Sequence, residues 1–208
     1  MKTQDYILLI MNCRKYAFKA DMQKNGWLKM LPNNILYYHV IGDETLDVNY
    51  RFSNEEKVLY VKVPDDYNSL PSKVIQSYLA VIMSFQFKYI FKTDDDQTLT
   101  DRHFFDNLIQ QIELKSPDYG GRPVVIQKEH ISEYYNYHPE LPHNIVVKET
   151  MYCNGRFYTL SRNAVINVLE KMDAFKEEYF EDYAIGYHMA DHIKQKFLFI
   201  QNNVFIDS

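Results

Sequence analysis

The chain has 208 residues, 46% of them hydrophobic and 15% aromatic, enough for one domain with a substantial core, which excludes two full-sized domains and a disordered chain. Lys plus Arg number 23 against 28 Asp plus Glu, a net charge of -5, and no basic block is long enough to coat a nucleic-acid backbone, so nucleic acid is not an expected partner. A mildly acidic protein that binds an anionic substrate must neutralise that charge locally, with a cation or with a few placed Lys and Arg.

In chain order, the apolar run Tyr6–Met11 reads as a strand. It is shorter than a signal-peptide core and far short of the roughly 20 residues that cross a bilayer, so no membrane insertion and a cytoplasmic setting are expected. Cys13 and Cys153 are too few for a disulfide framework and fit a reducing compartment. Runs 35–41, 58–63 and 88–92 are further strands. Between them, residues 72–87 form a helix with Val74, Ile75, Tyr78, Leu79, Ile82 and Met83 on one face and Pro71 at its first position. A second helix is expected over 101–114, capped by Thr100 or Asp101. Residues 116–150, rich in Pro, Gly, Tyr and His, read as loops with at most short strands and as a substrate-binding surface. Within them lie Tyr134, Tyr135 and Tyr137, whose rings could stack on a bound ligand or simply pack. A strand-like run at 152–161 follows, with Ser161 as a helix cap, and then helices over 161–172 and 182–195. His188 and His192 sit at i and i+4 there, and without a third ligand they read as surface or core residues. Strands alternating with helices predict an α/β fold, a mostly parallel central sheet flanked by helices, whose ligands bind beyond the carboxyl ends of the strands.

The most informative residues are Asp94, Asp95 and Asp96, directly after an apolar strand. Three adjacent carboxylates repel one another, and a hard divalent cation makes the arrangement favourable. Asp94 and Asp96 can point the same way, and carboxylate ligation suits magnesium or manganese, which keep open positions for substrate phosphates. A solvated acidic turn ahead of the next helix is the other reading. A calcium EF-hand loop does not fit: counted from Asp94, Leu99 takes the glycine position and Phe105 the final glutamate position. A second acidic pair, Glu181-Asp182, precedes Tyr183-Ala184-Ile185-Gly186 and can equally be an ordinary helix start.

Taken in order, these segments resemble the GT-A glycosyltransferases of the β-1,3-galactosyltransferase and Fringe-like family, over most of the chain. Residues 13–27 look like that family's first strand exit and basic helix ending in Trp, and Ile41-Gly42 like the end of its second strand. Asp65-Asp66-Tyr67-Asn68-Ser69-Leu70 with Lys73 resembles its next segment, and Asp94-Asp95-Asp96 falls where its metal-binding aspartates do. Tyr152-Cys153-Asn154-Gly155 through Tyr158-Thr159-Leu160-Ser161, and Glu181-Asp182 with Gly186, complete the order. Arg156-Phe157 departs from it, standing where the family has small glycines.

The resemblance implies a GT-A (Rossmann-like) catalytic domain over 1–208, with 1–100 as the nucleotide-sugar half and 101–208 as the acceptor half. It implies transfer of a sugar from a UDP-sugar, with Asp96, helped by Asp94, holding manganese or magnesium. Arg14, Asp66, Lys73, Lys92, Asp94 and Asp95 fall on the donor side. Asp182 is the implied general base, with Glu181 as its alternative, and attack from the face opposite the leaving group implies inversion. The acceptor is a glycan or glycoprotein, and among compact members encoded by bacteria and large DNA viruses it can be a capsid protein. A metal-dependent phosphodiesterase or nucleotidyl hydrolase, and a carbohydrate-binding domain without turnover, remain as alternatives.

Overall fold

The run Tyr6–Met11 (β1) is apolar at every position, and in the computed structural model, which describes residues 2–208, all six side chains are buried. Alternate residues of a strand face opposite sides. Ile7, Leu9 and Met11 therefore enter one core, and Tyr6, Leu8 and Ile10 another. A strand covered on both faces requires such a continuous run.

The chain continues through α1 (Ala17–Asn25), β2 (Ile35–Gly42), β3 (Tyr50–Ser53), β4 (Val58–Val61) and α2 (Leu70–Ser84). Next come β5 (Tyr89–Asp94), β6 (Gln97–Leu99), α3 (Phe104–Lys115), β7 (Tyr119–Ile126) and β8 (Thr150–Ser161). It ends with α4 (Arg162–Leu169), α5 (Glu181–His188), α6 (Asp191–Lys194), β9 (Phe197–Phe199) and β10 (Phe205–Asp207). The eight-stranded sheet has the order β9-β7-β8-β5-β1-β2-β4-β3. β1 pairs in parallel with β2 and β5, β2 with β4, and β7 with β9, while β8 runs antiparallel between β5 and β7. Helices α2, α4 and α5 supply Val74, Tyr78, Val165 and Ile185 to one core, and α3 packs Phe105, Leu108 and Ile112 with Trp27 into the other. The expected α/β class with a mostly parallel sheet is thus what forms. Among the described residues no helix is long and apolar enough to cross a membrane.

Several boundaries differ from the expected ones, each for a local reason. The helix expected over 72–87 stops at Ser84, because Phe85–Gln86 pairs in parallel with Lys2–Thr3. The helix expected from 101 starts at Phe104, since Asp101 closes a turn of its own: its carboxylate accepts the His103 N–H at 2.9 Å and its carbonyl that of Phe104 at 3.2 Å. Ser161 does cap α4, its Oγ accepting the Ala164 N–H at 3.1 Å. The single helix expected over 182–195 is two, because Asn167 Oδ1 takes the Ala190 N–H at 2.9 Å and the chain is extended at Met189 and Ala190. His188 and His192 thereby lie on separate helices, and His188 Nε2 meets Glu178 Oε1 at 2.7 Å.

The largest correction lies in 116–150, where the eight-residue β7 is an interior strand and not a loop. Gly120 and Gly121 look like breakers, yet β7 needs them: a Cβ on Gly121 would stand 2.7 Å from Cys153 Sγ. Pro123 faces Cys153 at the point where the β7–β8 register shifts, so the missing N–H falls where the ladder is already interrupted. The remainder of the span is loop with one short ladder, His130–Ile131 on Val146–Val147.

One buried group makes the fold acid-sensitive. His39 on β2 is 0% exposed, and among the described residues neither ring nitrogen has a hydrogen-bond partner. Burial, assisted by the Lys24 charge, lowers its pKa from 6.5 to about 3. Between those values the unfolded chain binds a proton that the folded chain refuses, so stability falls as pH drops below 6.5, by about 1.4 kcal/mol per pH unit. Urea unfolding at pH 7 and pH 5 should show wild type losing about 2 kcal/mol more than His39→Leu over that interval; equal losses would refute this role.

Candidate active site

The parallel register of β1 and β5 sets Met11 beside Asp94, so the acidic turn emerges at the carboxyl edge of the sheet, next to the end of β1. Lys92 and Asp94 share one face of β5. Lys92 is 1% exposed, and its Nζ donates to Asp94 Oδ1 at 2.8 Å, to the Gly155 carbonyl at 3.0 Å and to Glu181 Oε1. The other Glu181 oxygen accepts the Tyr158 hydroxyl at 2.9 Å, and that hydroxyl also meets the Tyr78 hydroxyl at 2.8 Å. Asp182 is half-buried, with Oδ2 accepting the Gly155 N–H and Oδ1 the Tyr183 N–H, both at 2.8 Å.

Two glycines make this meeting possible. A Cβ on Gly155 would lie 3.2 Å from Asp182 Oδ2 and 3.3 Å from Glu181 Oε1, against the very groups that converge there. On α5, a Cβ at Gly186 would fall 2.3 Å from Tyr152 Cβ, so only glycine lets the helix lie directly on β8. The acidic pair and the glycine four residues later thus form one device.

Burial would lower the pKa of Lys92, but the Asp94 and Glu181 carboxylates more than reverse this and hold the ammonium charged. Glu181 and Asp182 are both raised, burial being the main cause. Burial also raises Asp94, against the pull of Lys92 and with the repulsion of Glu181 and Asp96, and it pushes Asp95 up to about 6 despite Lys19 Nζ at 3.7 Å. The site carries more negative charge than its own cations balance.

The remaining candidates fall around the end of β1. Lys73, 2% exposed, donates to the Asn12 carbonyl at 2.9 Å and to Asp65 Oδ1 at 2.6 Å. Asp65 also accepts the N–H groups of Gly42 at 2.9 Å and Arg14 at 2.7 Å, while the Arg14 guanidinium pairs with Asp43. Asp66 instead accepts the Ser69 N–H at 2.8 Å in the turn before α2. Asp65 is therefore a bridging residue that sequence reasoning passed over. The spacing of Asp66 from a helix start was the available signal, because it marks that carboxylate as a turn group and leaves its neighbour for the network. Arg156 joins Asp207 of β10 at 2.8 Å, and Phe157 is fully buried, which accounts for their departure from small glycines. Over the acidic site, the His138 ring stacks on Tyr67 (centroids 4.1 Å apart, 10° between planes) and on Tyr134 (5.1 Å, 25°). Burial, then the Tyr134, Asp182 and Asp94 groups, raise the Tyr67 hydroxyl. Tyr135 stacks on His143 at 4.1 Å, and Tyr137 is exposed.

The galactosyltransferase family matches residues 14–196, which takes in the acidic turn, the Gly155 bend and α5. The chain belongs to the galactosyltransferase family. No curated protein matches it. Similar solved structures include TarS 1-349 of S. aureus, 7% identical over 97% of this chain and 59% of that one, with a TM-score of 0.54. The galactosyltransferase LgtC, solved with donor and acceptor sugar analogs, is 10% identical over 93% of this chain and 72% of its own, with a TM-score of 0.51. Core-mannan synthase A from Aspergillus fumigatus, in a Mn/GDP form, is 9% identical over 95% and 73%, with a TM-score of 0.52. At these identities the likeness shows the GT-A fold alone, and the chain spans 59% of the TarS chain.

For a galactosyltransferase-family site, the donor set of the acidic turn is hard and incomplete. Among the described residues Asp94 and Asp96 each keep one carboxylate oxygen without a protein donor, Lys92 taking one oxygen of Asp94 and Gln97 Nε2 one of Asp96 at 2.9 Å. Among the described residues no three His, Cys, Asp or Glu side chains group to hold an ion by themselves. Two carboxylates with further positions open fit magnesium or manganese, which take one or two carboxylates plus substrate phosphates.

Lys92 should behave as a structural charge. Lys92→Met strands Asp94 and Glu181, so denaturant unfolding should show a loss of about 3–5 kcal/mol, recovered in part by adding Glu181→Gln. A lysine that served only to contact a ligand would leave stability unchanged in the same experiment.

Proposed function

We propose that this chain transfers a sugar from a UDP-sugar to a hydroxyl of a glycan or glycoprotein, with a divalent cation and with inversion at the anomeric carbon. The observation that carries the reading is the convergence of the Asp94–Asp96 turn and Asp182 through Lys92 and Gly155. The order of the matched segments supports the β-1,3-galactosyltransferase and Fringe-like branch. Residues 1–100 supply the donor side and 101–208, through β8 and α5, the acceptor side.

Asp94 and Asp96 are the residues to hold magnesium or manganese, and the Mn/GDP form of the similarly folded core-mannan synthase A supports that choice. The ion, when bound, stabilises charge on the departing diphosphate. Lys92 keeps Asp94 ionised and fixed. Asp65 and Lys73 tie the end of β1 to the start of α2, where the nucleotide belongs at the carboxyl edge of a parallel sheet.

Asp182 is the base. Both oxygens of Glu181 are committed, to Lys92 and Tyr158, in a buried position. Each carboxylate oxygen of Asp182 accepts one N–H and keeps a lone pair free, and its raised pKa suits proton acceptance. The acceptor oxygen forms its bond to the anomeric carbon as its proton passes to Asp182, and the bond from that carbon to the phosphate oxygen breaks with its electron pair leaving on UDP. The stacked rings of Tyr67, His138 and Tyr134 lie beside this centre.

Calorimetric titration with UDP-sugars, with manganese and with chelator, should show metal-dependent binding weakened at least about tenfold in Asp96→Asn, equivalent to 1.4 kcal/mol. Binding that ignores both metal and mutation would remove the donor assignment. Asp182→Asn should bind donor within a few-fold of wild type yet lose about 10²–10⁴ in kcat, and NMR of the wild-type product should show the anomeric configuration reversed. Retention would exclude Asp182 as a base acting in a single displacement.

A further inference from the structure

Helix α1 gives the acidic cluster no carboxylate, only the Lys19 ammonium 3.7 Å from Asp95, yet its end is built against the turn that carries the cluster. Gln23, 3% exposed, directs its carboxamide nitrogen at the carbonyls of Asp94, Asp95 and Gln97, at 3.1, 3.0 and 2.8 Å. Trp27, 4% exposed, donates its indole N–H to the same Gln97 carbonyl at 3.0 Å. Gly26 ends α1 between them, its N–H turning back to the Met22 and Gln23 carbonyls, which brings Trp27 round to the turn. The Trp27 ring is then fixed by stacking on Phe105, with centroids 6.5 Å apart and 11° between planes.

The three carboxylates repel one another, and although Lys92, Lys19 and Gln97 each engage one of them, the course of the backbone between them is set by contacts to the main chain. The carbonyls of Asp94, Asp95 and Gln97 are such handles. Gln23 Oε1 is buried without a partner, an unfavourable arrangement that marks the carboxamide as present for its N–H groups. We propose that Gln23 and Trp27 are positioning residues of the donor site: by gripping the backbone from Asp94 to Gln97 they set the direction in which Asp94 and Asp96 present their free carboxylate oxygens. This rests on the donor-site reading above.

Trp27 is the only tryptophan in the chain, so its emission reports directly on the turn. Wild type titrated with magnesium and UDP should show a saturable change in that emission. Gln23→Leu, similar in size but without a donor, should bind about tenfold more weakly. Trp27→Phe, which keeps a stacking ring and loses the N–H, should weaken magnesium–UDP binding measured by calorimetry in the same direction. In both variants hydrogen exchange of residues 94–99 should quicken about tenfold without ligand, with β2 unchanged. Trp27→Phe carries the test should Gln23→Leu fail to fold. A wild type that answers to magnesium and UDP, with variants that match it within twofold, would overturn the positioning role and leave the donor site standing. Faster exchange with unaltered binding would overturn it equally. A wild type that shows no response would overturn the donor-site reading and this inference with it.

Discussion

The buried ammonium of Lys92 is the group on which the rest of the site depends. It sits between Asp94, at the end of a central strand, and Glu181, at the start of a helix far along the chain. A charge this deeply buried is tolerable only when fully paired, and here the pairing is shared among two carboxylates and the Gly155 carbonyl. The arrangement is reciprocal: the carboxylates need the ammonium as much as it needs them. What the ion pair contributes is placement, since it fixes the two acidic segments relative to each other more strictly than apolar packing would.

The backbone has to let these groups meet, and the antiparallel insertion of β8 is how it does so. β8 pairs with β5 through Tyr158 opposite Lys92, then shifts register against β7 between Cys153 and Tyr158. Gly155 lies inside that irregular stretch, donates its N–H to Asp182 and accepts from Lys92 at its carbonyl. One residue with no side chain thus addresses both halves of the site. The same strand carries Tyr152, against which Gly186 lets α5 close. A bulge that redirects a strand beside a functional cluster is a recurrent use of such irregularities.

Much of this was legible in the sequence because the strong signals are local. β1, α2 and α3 announce themselves by apolar runs and helical spacing, and Asp94–Asp96 by charge that no ordinary strand end would concentrate. The misreadings have one origin, the override of local preference by a distant partner. β7 contains Gly120, Gly121 and Pro123, residues that punctuate loops, and their fitness for an interior strand comes from Cys153 and the register shift on the neighbouring strand. The break at Met189 and Ala190 is invisible until Asn167 of α4 is seen to take the Ala190 N–H. Asp65 and Asp66 are adjacent and alike, and apart from the spacing that marks Asp66 as a turn group, it is the fold that hands Asp65 to Lys73. Gln23 carries no signal at all, since a glutamine on a short helix is unremarkable until the carbonyls it grips are in place.

The disposition of charge argues most directly for how an acidic protein could take an anionic donor. The basic residues that the sequence puts near the strand ends each face a carboxylate: Arg14 faces Asp43, Lys19 faces Asp95, Lys73 faces Asp65, and Lys92 faces Asp94 and Glu181. Each is committed to the protein's own acids. A diphosphate approaching Asp94–Asp96 would then meet net negative charge in a partly desolvated site, where repulsion is stronger than in water. The pKa of Asp95, about 6, is raised chiefly by burial, which Lys19 opposes and to which Asp96 and Asp94 add repulsion. A cation brought to the turn from outside would relieve the carboxylates and attract the phosphates in one step. The dependence on a divalent ion proposed for this chain therefore follows from where its lysines are already engaged as much as from the aspartates themselves.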